Sequence, residues 1–229
     1  VRWLTHEQAK TLVQVANNPV DQKGSSLSSQ YKSPVLGDFI ELALNTGCRK
    51  SELLNLKWIH VDLSTRLLHL EQTKSDEWQT VPINEDARQV LVRRMRLRDA
   101  VCPESPWVFF HLTSAFNAEV GDRVKSVRKA FSTACKRAGI GDFHIHDLRH
   151  TFASWLVMNG VALFEVSKLL RHSSIQMTER YAHLAPDHLH HAVSNLGFSA
   201  QFQHTKNLES VVVCQNGLNT RVNGRGERI

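Results

Sequence analysis

The chain has 229 residues, 41% of them hydrophobic, which is enough for one sizeable core, and its lysines and arginines outnumber aspartates and glutamates by 28 to 22 for a formal charge of +6. No apolar run nears the ~20 residues that span a bilayer, and the opening VRWLTHEQAK lacks the hydrophobic segment of a secretion signal. Cys48, Cys102, Cys135 and Cys214 show no C-x-x-C spacing, which argues against a thiolate metal knuckle or a dense disulfide framework. The expectation is a soluble protein of the reducing cytoplasm with an anionic partner, nucleic acid foremost, although excess charge also serves a solvated surface. A start on Val1 rather than Met predicts a piece of a longer protein.

In chain order, Thr5 followed by EQAKTLVQVA reads as an N-capped helix with Leu12, Val13 and Ala16 on one face, and NNPVDQKGSSLSSQYKSP as a polar loop. Helix resumes at LGDFIELALNTG, where Phe39, Ile40, Ala43 and Leu44 repeat at three and four residues, and Gly47 suits an exit before CRKSELLNL begins another helix. Arg49 therefore falls at a junction between helices. From Trp58 to Ile83 the pattern turns to β: WIHVD, RLLHLE and QTVPI read as three short strands of an antiparallel sheet, with Lys74 in the second turn. Helical patterns return at NEDARQVLVRRMRLRD, DRVKSVRKAFSTACKRAG, HDLRHTFASWLVMNG and VALFEVSKLLR. PDHLHHAVSNLGF predicts one more helix, with Leu189, Ala192, Val193 and Leu196 on one face, and the residues beyond Ser199 a loosely ordered polar tail. The fold class is mostly α (α+β), helical with a small three-stranded antiparallel sheet.

The polar residues with chemical reach lie late in the chain. In HIHDLRH, His146 and Arg149 are three apart and so share a helical face, with Asp147 near the helix start where its charge is favoured. An imidazole beside a guanidinium suits an anionic ligand, because histidine exchanges protons near neutrality and arginine offers a planar fork to two phosphate oxygens. His172 and Tyr181 are nine residues apart and would face opposite ways on one unbroken helix. Ser173 with Gln176 matches a capping box, which predicts a new helix right after His172 and a bend able to bring both side chains to one cavity.

These pieces, TGCRKSELLNLKW around Arg49, the hairpin Lys74, HDLRHTFAS and LLRHSSIQMTERYAHL, resemble in this order the catalytic domain of the tyrosine recombinases, the phage integrase family. Each motif alone is common, whereas the ordered set covers about Leu4 to Leu196. The resemblance implies a catalytic domain over residues 1–198, a tail over 199–229, and a DNA-gripping N-terminal domain that this chain does not carry. It implies cleavage and rejoining of double-stranded DNA without metal or other cofactor. Tyr181 would attack a backbone phosphate, leaving a 3′-phosphotyrosyl link and a 5′-hydroxyl. Arg49 and Arg149 would clamp the nonbridging oxygens and His172 would donate a further hydrogen bond. Lys74 would protonate the departing 5′ oxygen, His146 would assist proton removal from Tyr181, and Glu52 would support. The absence of a G-x-x-x-x-G-K-[ST] run fits, since the covalent link conserves the phosphodiester's energy.

Other readings attach to the same residues. Arg49 pairs equally well with Glu52 one turn on, and His146 with His150 imitates the H-E-x-x-H zinc motif of a hydrolase, although Arg149 would set a cation against the metal. A noncatalytic DNA-binding module needs only the helices and the charge. Type IB topoisomerases share the tyrosine chemistry. The 187–196 segment resembles the family element that docks on a neighbouring protomer, or else folds back on its own domain. One departure stands out: Arg171 occupies a place where the family usually has glycine. If positive φ is needed there, arginine strains the turn by about 1 kcal/mol, and its charge then either disturbs His172 or reaches DNA. The resemblance places the protein in the cytoplasm, on the nucleoid when DNA-bound.

Overall fold

The architecture follows from a few caps and apolar stripes. A computed structural model describes residues 1–18, 35–71, 78–114, 117–186 and 193. Lys74, most of the 187–196 segment and the 199–229 tail lie outside the described residues. Val1–Asp187 form one unit.

Helix α1 (His6–Asn17) starts at Thr5, whose Oγ1 accepts the Gln8 N–H at 3.2 Å while the Gln8 side chain accepts the Thr5 N–H at 3.0 Å. Helix α2 (Val35–Thr46) is the central element, burying Phe39, Ile40, Leu42, Ala43 and Leu44 and packing against α1, α4 and α6. It ends where Gly47 takes φ +61°, as expected, and α3 (Lys50–Leu54) follows with Arg49 at its N-cap.

The sheet comprises β1 (Val61–Asp62), β2 (Leu67–Glu71) and β3 (Trp78–Pro82), antiparallel in the order β1-β2-β3, with Leu68 opposite Val81. WIHVD is mostly not a strand. Trp58–His60 form a 3₁₀ turn, held by the Trp58 N–H on the Pro106 carbonyl (2.9 Å) and the His60 N–H on Lys57 (3.0 Å). Only Val61 and Asp62 pair with β2, because Asp62 turns the chain by accepting from Ser64 and Thr65.

Helix α4 (Glu85–Val101) is capped by Asn84, which accepts the Ala87 N–H at 2.9 Å. Its Arg94 is wholly buried, donating to the Val108 carbonyl at 3.0 Å and facing Phe109, Phe110 and the buried Asp38. Helix α5 (Arg128–Arg137) is shorter than its apolar pattern predicts, since residues before it extend instead: Arg123 bridges Phe110, and the Val124 N–H binds the Phe109 carbonyl at 3.0 Å.

Helix α6 (Ile145–Met158) begins where the Asp147 carboxylate accepts the His144 N–H at 2.7 Å. Its far side is tied to the start of the chain: Leu4 donates to Thr151 and Trp155 donates to the Leu4 carbonyl. Helix α7 (Leu163–Leu170) and the four-residue α8 (Gln176–Glu179) complete the unit, followed by a 3₁₀ turn at Ala182–Leu184. The predicted break after His172 exists, but Ser173 does not cap α8; Ser174 Oγ accepts the Gln176 N–H at 3.2 Å. The main core runs through α1–α6 and the sheet, and a second, smaller cluster joins Ala153 and Val157 of α6, Val166 and Leu170 of α7, and Tyr181. Among the described residues, no helix is long and apolar enough to cross a membrane.

Candidate active site

Three helix ends and one helix face supply the polar groups. The turn after α2 delivers Arg49, the first turns of α6 present His146, Arg149 and His150, the C-terminus of α7 supplies Arg171 and His172, and the chain after α8 carries Tyr181.

Arg149 is the anchor. Although a guanidinium at 3% exposure is costly to bury, Nη1 donates to the Gly47 carbonyl at 2.7 Å and Nη2 to the carbonyl of Leu170, stitching α6 to the ends of α2 and α7. Burial, then the neighbouring charges of Arg49 and Arg171, bring its pKa down to about 10, so it stays cationic at neutral pH. Arg49 is more open. Its Nη1 lies 2.7 Å from Glu52 Oε1 and its backbone N–H 2.6 Å from Glu52 Oε2, while its side chain remains 41% exposed. Clefts of about 990 and 780 Å³ both reach Arg49, the first running along α5 to His144 and His146, the second past Lys57, His69 and Trp107. Burial would raise the Glu52 carboxyl, but Arg171 and the Arg49 hydrogen bonds outweigh it and hold the group below its usual range.

Tyr181 is 1% exposed, its ring lodged in the second apolar cluster, and its hydroxyl lies 2.5 Å from His150 Nδ1. Burial pushes the phenol pKa upward, with Arg180 and Arg149 pulling against it. His150 in turn meets the His146 ring edge to face at 4.8 Å. Burial and the His146 charge depress His150 to about 4, so its ring is neutral at pH 7. His146 is lowered too, by burial and then by Arg149. His172 Nδ1 sits 2.9 Å from the Thr178 hydroxyl, and burial followed by the charges of Arg149 and Arg49 takes it to about 4.

The structure thus brings together Arg49, His146, Arg149, His172 and Tyr181, with Glu52 beneath Arg49. Lys74 falls outside the described residues. Two contacts differ from or add to the sequence reading: the ring against the phenol belongs to His150 rather than His146, and Arg171, expected either to disturb His172 or to reach DNA, turns inward to Glu52. The spacing His146, Arg149, His150 put all three on one face of α6, but it could not tell which imidazole a phenol from a distant segment would meet. For the zinc alternative, His150 Nδ1 is engaged by Tyr181, and among the described residues no cluster of three His, Cys, Asp or Glu side chains could hold a metal.

Such an arrangement suits chemistry on a phosphodiester: fixed cations for a developing negative charge, a phenol against a neutral imidazole, and an open approach at Arg49. Comparison with known proteins agrees in kind. The model of the phage integrase family matches residues 2–188. The integrase of Salmonella phage P22 is 36% identical over 198 residues, spanning 82% of this chain and 45% of that protein. Tyrosine recombinase XerD of Brucella suis is 34% identical over 170 residues, 72% of this chain and 53% of its own length. The solved catalytic domain of bacteriophage HP1 integrase superposes with a TM-score of 0.60 at 28% identity, covering 85% of this chain and 94% of that one. This chain spans about half the length of the curated relatives it matches.

Proposed function

Because this chain belongs to the phage integrase family, we propose that it is the strand-cutting and strand-joining domain of a site-specific DNA recombinase. The observation that carries this reading is the Tyr181 hydroxyl, 2.5 Å from a neutral imidazole and within the field of Arg149.

In the proposed step, the Tyr181 oxygen attacks the scissile phosphorus, passing its proton to His150 Nδ1, which is the ring in place to accept it. Arg149, held rigidly by two backbone carbonyls, and the more exposed Arg49 take the nonbridging oxygens, while His172 adds a hydrogen bond and His146 backs His150. The bond to the 5′ oxygen breaks as the 3′-phosphotyrosyl bond forms, and Lys74, assigned by the resemblance, supplies the proton that leaves a 5′-hydroxyl. Attack by the 5′-hydroxyl of a second strand reverses each transfer and frees the phenol. Double-stranded DNA is therefore the substrate, and further protomers on that DNA are the partners that bring a second strand within reach, with the 187–196 segment as their contact. The protein works where its DNA is, in the cytoplasm on the nucleoid.

The test is incubation of the 229-residue chain with nicked duplexes whose sequence is randomised around the nick, followed by denaturing gels. An adduct that survives denaturant, disappears in Tyr181→Phe, and is indifferent to chelator supports the reading. DNA binding without any adduct would leave a noncatalytic binding module, and loss of activity with chelator would favour the zinc hydrolase.

A further inference from the structure

We propose that Arg171 is a positioning residue of this site: seated on Glu52, it locks the turn that carries His172 to the carboxylate that holds Arg49, and it offsets that carboxylate's charge. The inference rests on the recombinase reading for its kinetic consequence and on geometry for the lock itself.

Arg171 follows α7 with φ 55° and ψ 45°, a left-handed backbone that achiral glycine enters freely and that crowds the Cβ of an L-residue such as arginine. A helix can end without that cost by placing glycine or asparagine there. What this arginine gains is a set of bonds. Its side chain is 4% exposed, Nη2 lies 2.6 Å from Glu52 Oε2, and Nη1 donates to the Leu169 carbonyl at 3.0 Å. Its buried Nε has no hydrogen-bond partner, so the carboxylate and that carbonyl do the holding.

The turn is pinned from several sides. The carbonyl of Leu170 accepts from Arg149, the His172 N–H binds the Ser167 carbonyl at 3.1 Å, and Arg171 ties the same residues across 119 positions to α3. Glu52 therefore joins the two segments that carry Arg49 and His172. The charge follows the same logic. Glu52 with Arg49 alone would sum to zero, whereas Arg49, Arg149 and Arg171 against one carboxylate leave two net positive charges where an anion must dock.

The informative variant is Arg171→Asn, because asparagine tolerates the left-handed turn and removes only the guanidinium. On the duplex recovered from the nicked pool, single-turnover cleavage at saturating DNA should fall about ten-fold or more, a larger change than the rise in the half-saturating DNA concentration that the lost charge brings. Arg171→Lys, which keeps the charge but not the fork, should recover part of the loss. In Arg171→Asn/Glu52→Gln the combined loss should fall short of the product of the two single losses, since both changes remove the Glu52–Arg171 link while Glu52→Gln also loosens Arg49. Amide exchange at His172 in the DNA-free chain should quicken in Arg171→Asn while exchange in α2 stays as in the parent. Parental cleavage and parental exchange in Arg171→Asn, or two losses that simply multiply, would overturn the proposal. If Arg171→Asn did not fold, Arg171→Lys would decide it, because fully parental cleavage and exchange there sink the lock. A parent chain that forms no adduct from the pool defeats the recombinase reading instead, and the exchange measurement still judges Arg171 by itself.

Discussion

His150, against the phenol of Tyr181, and His172 are each pulled to about 4, well below their ordinary 6.5, so neither ring adds charge to the site at pH 7. The unfolded chain then takes up protons first as pH falls. Stability contributed by these rings is fully present above about pH 6.5 and is lost as pH drops toward 4, with a slope of at most about 1.4 kcal/mol per pH unit for each ring and less because both are partly exposed. Urea unfolding at pH 7.5, 6 and 5 should show this decline, and a flat profile over that interval would contradict the buried, neutral state of the rings. Arg149→Lys makes a second expectation. Lysine lacks the planar fork whose two nitrogens reach the carbonyls of Gly47 and Leu170 separately, so weakening or losing one of these bonds should cost about 1–3 kcal/mol, and adduct formation should drop by about a hundred-fold, read on the same nicked duplexes. That Arg49, His146, Arg149, His172 and Tyr181 come together was legible because their side-chain types and order are specific. His150 was not, since two imidazoles one helical turn apart look alike in a sequence, and Arg171 was legible only as an oddity whose partner lies 119 residues away.

At the level of helices and strands, one glycine carries much of the geometry. Gly47 ends α2 with φ +61°, offers its carbonyl to Arg149, and lies so close to Phe152 that an added Cβ would meet the ring at 2.4 Å. Gly47→Ala combines a strained backbone with a clash, so it should destabilise the chain by roughly 2 kcal/mol or more, measured by urea midpoint, and weaken adduct formation along with it. Thr5→Ala, which removes the α1 cap, should cost about 1 kcal/mol, read by the same urea midpoint. Caps and glycine exits of this kind are local, and they made α1, α2, α4 and α6 readable from the sequence. Where the sequence misled, a distant partner won: Pro106 draws Trp58 into a 3₁₀ turn inside WIHVD, and Phe109 and Phe110 recruit residues before α5 into extended pairing.

For the molecule as a whole, the formal charge of +6 belongs to a chain that spans about half the length of the curated relatives it matches. Alone it should hold DNA weakly and with little sequence preference, in the micromolar range or looser, and lose most of that affinity between about 50 and 200 mM salt. Tight, salt-insensitive, sequence-specific binding by these 229 residues in a titrated fluorescence anisotropy assay would refute this. The way the Tyr181 segment is built adds a consequence of its own. Four α-helical residues and a single 3₁₀ turn are far too short to persist without support, so the segment's place depends on tertiary contacts, its aromatic ring wedged between α6 and α7 and its buried Thr178 against His172. Loosening that packing would shift the hydroxyl together with its backbone, so the fit of side chains on α6 and α7 bears directly on where the phenol sits.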